Sequence, residues 1–167
     1  MQSINKFTKS KFILIFGNIF ENSKWIAERT YKFSPFKNFN DIKLKMLTVY
    51  KNLSKKEHLK IILKHPDLAD KIKIYRLSKD SQKEQKKSSL DQCTKKEFEE
   101  FKKLNKIYKK KFGFPFILAI LGKNKNQILY NFRKRILSNK HNEFKEAKTQ
   151  VMKIATLRLK NLKKNFQ

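Results

Sequence analysis

From Thr94 onward, apolar side chains fall at Phe98, Phe101, Leu104, Tyr108 and Phe112. A three-and-four spacing of this kind lines up on one face only if the backbone is an α-helix. The same periodicity recurs at Leu59, Ile62 and Leu63, at Ile128, Leu129, Phe132, Ile136 and Leu137, and at Val151, Ile154, Ala155, Leu157 and Leu159. Two of these helices carry start signals, Ser54-Lys-Lys-Glu57 and Thr94-Lys-Lys-Glu97. In such a capping box a hydroxyl and a glutamate satisfy backbone amides that the helix leaves free. Pro66 stops the helix that follows Ser54, because proline disfavours a helical residue before it. The N-terminal third reads as helices over 12–20 and 23–33 and from about Asp41 to Leu53. The polar, irregular stretch 70–92 leaves room for a short helix around Ser81–Lys87, and the last helix is expected to end in basic, poorly ordered residues over roughly 160–167. With no repeat, strand-rich region or linker in view, the expectation is an all-α chain: a single compact multi-helix bundle, one domain over residues 1–167.

Composition narrows the function. Fifteen phenylalanines, with only three glycines and three prolines, exclude a disordered chain and disfavour a turn-rich β fold. A single cysteine, Cys93, excludes a disulfide framework, and His58, His65 and His141 are too widely spaced to suggest metal ligands. Lys+Arg number 42 against 14 Asp+Glu, a formal charge of +28. That excess alone suggests a basic helical nucleic-acid-binding protein without enzymatic activity. Yet only five of the basic residues are arginine (Arg29, Arg76, Arg133, Arg135, Arg158), and arginine is the residue that grips guanine and phosphate with two bonds at once. A lysine-rich surface written by compositional bias is the simpler account, and nucleic acid is not the expected partner.

The run Phe12–Phe20 follows a basic start, as a signal peptide would, but Gly17 and Asn18 interrupt it and no small-residue cleavage site follows in Glu21–Trp25. The apolar stretch 113–122 is far short of the ~20 residues that span a bilayer. The ending Lys164-Asn-Phe-Gln167 is not a peroxisomal tripeptide. The expected setting is the cytoplasm, away from membranes.

Four segments break the helical patterns with polar or special residues. His65, ahead of Pro66, either complements the negative end of a helix or serves as an acid–base group. Ser81-Gln82-Lys83-Glu84-Gln85 matches a capping box, so Glu84 is a cap or a functional carboxylate. Gly113 and Pro115 end a helix and leave Phe116-Ile117-Leu118-Ala119-Ile120 with backbone amides outside it, as core or as the lining of an apolar pocket. Arg158 stands between leucines in the most apolar part of the last helix and needs an anionic partner, from the protein or from a substrate.

Together these segments resemble one family, the 2-oxo-4-hydroxy-4-carboxy-5-ureidoimidazoline (OHCU) decarboxylases of urate breakdown. The resemblance is carried by Phe20-Glu-Asn-Ser-Lys-Trp-Ile-Ala-Glu-Arg29, His65-Pro-Asp-Leu-Ala69, Ser81-Gln-Lys-Glu-Gln85, Leu104-Asn-Lys-Ile-Tyr-Lys-Lys-Lys-Phe-Gly-Phe-Pro-Phe-Ile117 and Ile154-Ala-Thr-Leu-Arg-Leu159. It runs from about Phe12 to Leu159, in fixed order.

The resemblance implies a carboxy-lyase that converts a small ureidoimidazoline carboxylate to (S)-allantoin with no cofactor and no metal, in a chain that often forms homodimers. It assigns catalysis to His65, Glu84 and Arg158. His65 moves a proton at the reacting carbon or its hydroxyl, Glu84 bonds the ring or its enol-like intermediate, and Arg158 binds an oxygen. Pro66, Ser81, Gln82, Lys83, Glu84 and Gln85, with the backbone of Phe116, Ile117, Leu118, Ala119 and Ile120, hold the substrate. Two positions depart from the family pattern: Ser89, where glycine is usual, and Leu121, where a basic residue is common.

Overall fold

The computed structural model describes residues 7–68 and 94–166. Among them the regular structure is helical: α1 Lys9–Phe16, α2 Trp25–Tyr31, α3 Phe39–Lys51, α4 Lys55–Ile62, α5 Lys95–Phe112, α6 Lys125–Ile136 and α7 Lys140–Lys163, followed by a 3₁₀ turn, Lys164–Phe166. The chain divides into two compact units. One comprises residues up to Lys64 together with those from Met152 onward, and the other runs from His65 to Val151.

Helix starts follow local chemistry. Two of the expected capping boxes form, Ser54 with Glu57 at α4 and Thr94 with Glu97 at α5. A further box, Asn124 with Gln127, opens α6. Gly113 closes α5 in the left-handed region at φ +81°, and its N–H donates to the Lys109 carbonyl at 2.8 Å. That conformation costs a residue with a Cβ and suits glycine.

The first unit buries Phe12, Ile42, Met46, Ile61 and Leu159. Phe12 stacks on Phe16 and Phe36, with ring centroids 4.5 and 5.3 Å apart. Phe20 stacks on Tyr50 at 4.8 Å, and His58 meets Tyr50 edge-on at 4.7 Å. Burial pushes the Tyr50 phenol well above its usual range. His58 therefore belongs to the core.

In the second unit, α5 and α6 meet through Phe101, Tyr108 and Phe132, and Phe116 stacks on Phe132 at 3.9 Å. The stretch 115–120 that supplies Phe116 belongs to no helix. It holds its place by burying Phe116, Ile117, Leu118 and Ile120.

Three boundaries differ from the sequence expectation. α1 stops at Phe16, short of Phe20. The last helix starts at Lys140, well before the apolar run at Val151, because its first turns direct the polar Glu143 and Gln150 inward. The basic end, expected to be poorly ordered, stays helical through Lys163. Beyond it, the Phe166 ring lies 5.5–6.2 Å from those of Phe7, Phe16 and Phe39. The expected helix near Ser81–Lys87, its capping box and Ser89 lie outside the described residues. Leu121 sits in the turn after Ile120. No helix among the described residues is long and apolar enough to cross a membrane.

Candidate active site

His65 lies three residues beyond the end of α4, in the turn that leads to Pro66, and both residues are half-buried. The segment they begin is tied to α5 at two points. Asn105, itself buried, donates from Nδ2 to the Leu68 carbonyl at 3.0 Å, and Lys109 Nζ lies 2.9 Å from Asp67 Oδ2. The imidazole thus stands on a short non-helical stretch fastened just downstream by a buried amide.

In the second unit, Phe116–Ile120 is held by side chains from α6 and α7. Arg135 Nη1 donates to the Ile117 carbonyl at 2.6 Å. The Ala119 N–H donates to Gln150 Oε1 at 2.9 Å. Arg135 is anchored in turn by Glu143, to which its Nε donates at 2.9 Å and its Nη2 also donates. Tyr108 donates its hydroxyl to the same Glu143 oxygen. Burial, with the glutamate beside it, drives the Tyr108 phenol far above its usual range. The guanidinium lies over the Phe116 ring, 4.5 Å from its centroid.

Arg158 is 5% exposed and Glu21 1%. Arg158 Nη2 donates to Glu21 Oε2 at 2.9 Å, and Nη1 to the Asn18 carbonyl at 3.2 Å. A protein carboxylate therefore meets the need of Arg158 for an anionic partner. Glu21 is the second residue of the Phe20–Arg29 motif, and Ser23 donates back to its carbonyl at 2.9 Å. Of the expected site residues, Ser81, Gln82, Lys83, Glu84 and Gln85 lie outside the described ones. His65, Pro66 and Phe116–Ile120 belong to one unit and Arg158 to the other.

Residues 5–160 match the family described as OHCU decarboxylase. The chain belongs to that family. A 2-oxo-4-hydroxy-4-carboxy-5-ureidoimidazoline decarboxylase of Haloferax volcanii is 31% identical over 95% of this chain and 93% of its own length. The uric acid degradation bifunctional protein of Bacillus sp. (strain TB-90) is 38% identical over 97% of this chain. This OHCU decarboxylase-family chain spans only about a third of that protein's length (32%). Among solved structures, (S)-allantoin synthase superposes with a TM-score of 0.74 at 26% identity, over 95% of this chain and 52% of that one. An OHCU decarboxylase crystallised in the presence of (S)-allantoin shares the fold at a TM-score of 0.71 and 19% identity, over 89% of this chain and 96% of that one.

Sequence reasoning missed Glu21, Tyr108, Arg135, Glu143 and Gln150. For Arg135 a signal existed, since it is one of five arginines in a chain that otherwise uses lysine. The four described arginines each pair with a glutamate: Arg29 with Glu57, Arg133 with Glu100, Arg135 with Glu143 and Arg158 with Glu21. Arginine here is a device for holding carboxylates, which leaves lysine to make the basic surface.

Proposed function

We propose that this chain decarboxylates 2-oxo-4-hydroxy-4-carboxy-5-ureidoimidazoline to (S)-allantoin, with neither metal nor cofactor. The observation that carries the reading is the family match over residues 5–160, which takes in His65, Arg158 and Phe116–Ile120. The same span supports treating the whole chain as one functional domain.

The chemistry asks little of a protein beyond orientation, charge stabilisation and one proton. The bond between the ring carbon and the carboxylate breaks and carbon dioxide leaves. The electron pair passes toward the adjacent ring C=N group, so the substrate supplies its own electron sink. A proton then enters on one face of the carbon bearing the ureido group while the hydroxyl becomes a carbonyl. The hydroxyl releases one proton while that carbon and the ring nitrogen take up one each, so a net uptake of one proton balances the loss of the carboxylate as carbon dioxide.

In this reading His65 moves the proton, from a segment fastened by Asn105. Arg158, already carried by Glu21, stabilises an oxygen. Pro66 and the backbone of Phe116–Ile120 hold the planar ring and ureido amides. Glu84 and its neighbours Ser81, Gln82, Lys83 and Gln85 enter through the family resemblance alone. A cytoplasmic setting and a homodimer belong to the same reading.

The test generates the unstable substrate in place from urate, with urate oxidase and hydroxyisourate hydrolase, and follows the circular dichroism of allantoin. The wild-type chain should accelerate the appearance of the (S) signal over the uncatalysed racemic background. His65→Ala should lower turnover by about 10²- to 10⁴-fold with its far-ultraviolet helical signal unchanged. Equal rates with and without the wild-type chain would sink the assignment, and near-normal turnover in the variant would remove His65 from it.

A further inference from the structure

We propose that Gln150 and Arg135 are positioning residues that clamp the Phe116–Ile120 segment by taking up the Ala119 N–H and the Ile117 carbonyl, so that the N–H and carbonyl of Leu118 between them face substrate. The inference rests on the functional reading above and adds to it the residues that set the segment's geometry.

The segment has no helical or strand ladder to fix it. A stretch of irregular backbone surrounded by apolar side chains must find other partners for its N–H and C=O groups. Two it obtains from buried side chains of opposite hydrogen-bonding sense, two residues apart: Arg135 donates to Ile117, and Gln150 accepts from Ala119. Among the described residues, Leu118, which lies between them and is 5% exposed, has no hydrogen-bond partner for its own N–H or carbonyl. Those two groups are complementary to an amide or ureido edge, which presents a donor beside an acceptor.

Each clamp is itself locked. Gln150 Nε2 donates to Glu146 Oε1 at 2.6 Å, one turn earlier on α7. That bond and the Ala119 bond demand the same amide orientation, because a carboxylate needs a donor and an N–H needs an acceptor. Arg135 is held by Glu143 on one edge and by the Phe116 ring beneath its plane, with the Tyr108 hydroxyl fixing the same carboxylate. Lysine offers no such fork and could not reach Glu143 and Ile117 together. Glu143 and Gln150 lie seven residues apart on α7, two turns on one face, so a single helix sets both ends of the clamp.

The test compares Gln150→Leu with Val151→Ala, a cavity-forming change at the next, buried residue of the same helix, whose side chain makes none of the clamp's hydrogen bonds. Gln150→Leu should raise KM by about tenfold, with kcat changed much less. It should also expose the Ala119 amide to hydrogen exchange in the free protein. Val151→Ala should lower the melting temperature at least as far while leaving KM within about twofold. Arg135→Lys should raise KM in the same sense as Gln150→Leu. Unchanged KM and unchanged Ala119 protection in folded Gln150→Leu, or an equal rise in KM in Val151→Ala, would overturn the clamp. A wild-type chain that forms no allantoin, with Ala119 protection still dependent on Gln150, would instead sink the functional reading and, with it, the clamp's catalytic purpose.

Discussion

At the scale of single residues, Arg158 and Glu21 are 137 positions apart in the chain yet form one buried ion pair, and burial makes each depend on the other. Removing a charge from water costs several kcal/mol, which is recovered only while its partner remains. Glu21→Gln leaves the guanidinium without that countercharge and should destabilise the fold by about 3 kcal/mol, read as a lower urea midpoint at unchanged m. Arg158→Lys keeps the charge but loses the fork that reaches the Asn18 carbonyl and Glu21 together. It should lower kcat/KM by about 30-fold or more in the allantoin assay. An unmoved midpoint in the first variant would mean that Glu21 does not hold Arg158, and unmoved kinetics in the second would make Arg158 purely structural. Arg158 was legible in the sequence, because an arginine between leucines in a lysine-rich chain has to be explained. Its partner was not, since a one-dimensional pattern carries no distance between residues so far apart. Arg135 was hidden differently: it sits among the basic residues of Arg133-Lys134-Arg135, where a solvated face is the simplest account.

At the scale of helices, the legible features were those whose chemistry is local. The Ser54–Glu57 and Thr94–Glu97 boxes could be read directly because donor and acceptor are three residues apart. The box at Asn124 went unread because it uses an amide at both positions. The long start of α7 went unread because two of its three buried residues, Glu143 and Gln150, are polar and partnered at a distance. These boxes make a pH prediction. The Ser54 backbone and side chain, with Arg29, hold the Glu57 carboxyl down at about 2, from 4.5. Lys125 first, then Thr94, does the same for Glu97, also to about 2 from 4.5. A carboxyl whose pKa is lower in the folded state contributes stability above its unfolded value, and that contribution is lost as pH falls through the folded one. The double variant Glu57→Gln, Glu97→Gln should therefore be less stable than wild type at neutral pH. The two urea midpoints should converge between about pH 4.5 and about pH 2. A gap independent of pH would show that the carboxylate charge contributes nothing to it, and no gap at any pH that the glutamine amide caps as well.

At the scale of the whole molecule, two electrostatic effects oppose each other. The described surface carries ion pairs with at least one exposed or half-exposed partner, among them Arg29–Glu57, Lys102–Glu99, Lys109–Asp67, Lys125–Glu97 and Arg133–Glu100. Each contributes little, because water and ions screen it. Against them stands the mutual repulsion of a net charge of +28, which folding concentrates into a smaller volume and which salt also weakens. Repulsion grows with the square of net charge, whereas the pairs add one at a time, so repulsion should outweigh them. Added sodium chloride should then stabilise the protein, with the melting temperature rising by about 5 °C between about 20 mM and about 500 mM as the screening length shrinks from roughly 20 Å to roughly 4 Å. A melting temperature that falls with salt would reverse the ranking and make the glutamate pairs the dominant electrostatic contribution to the fold.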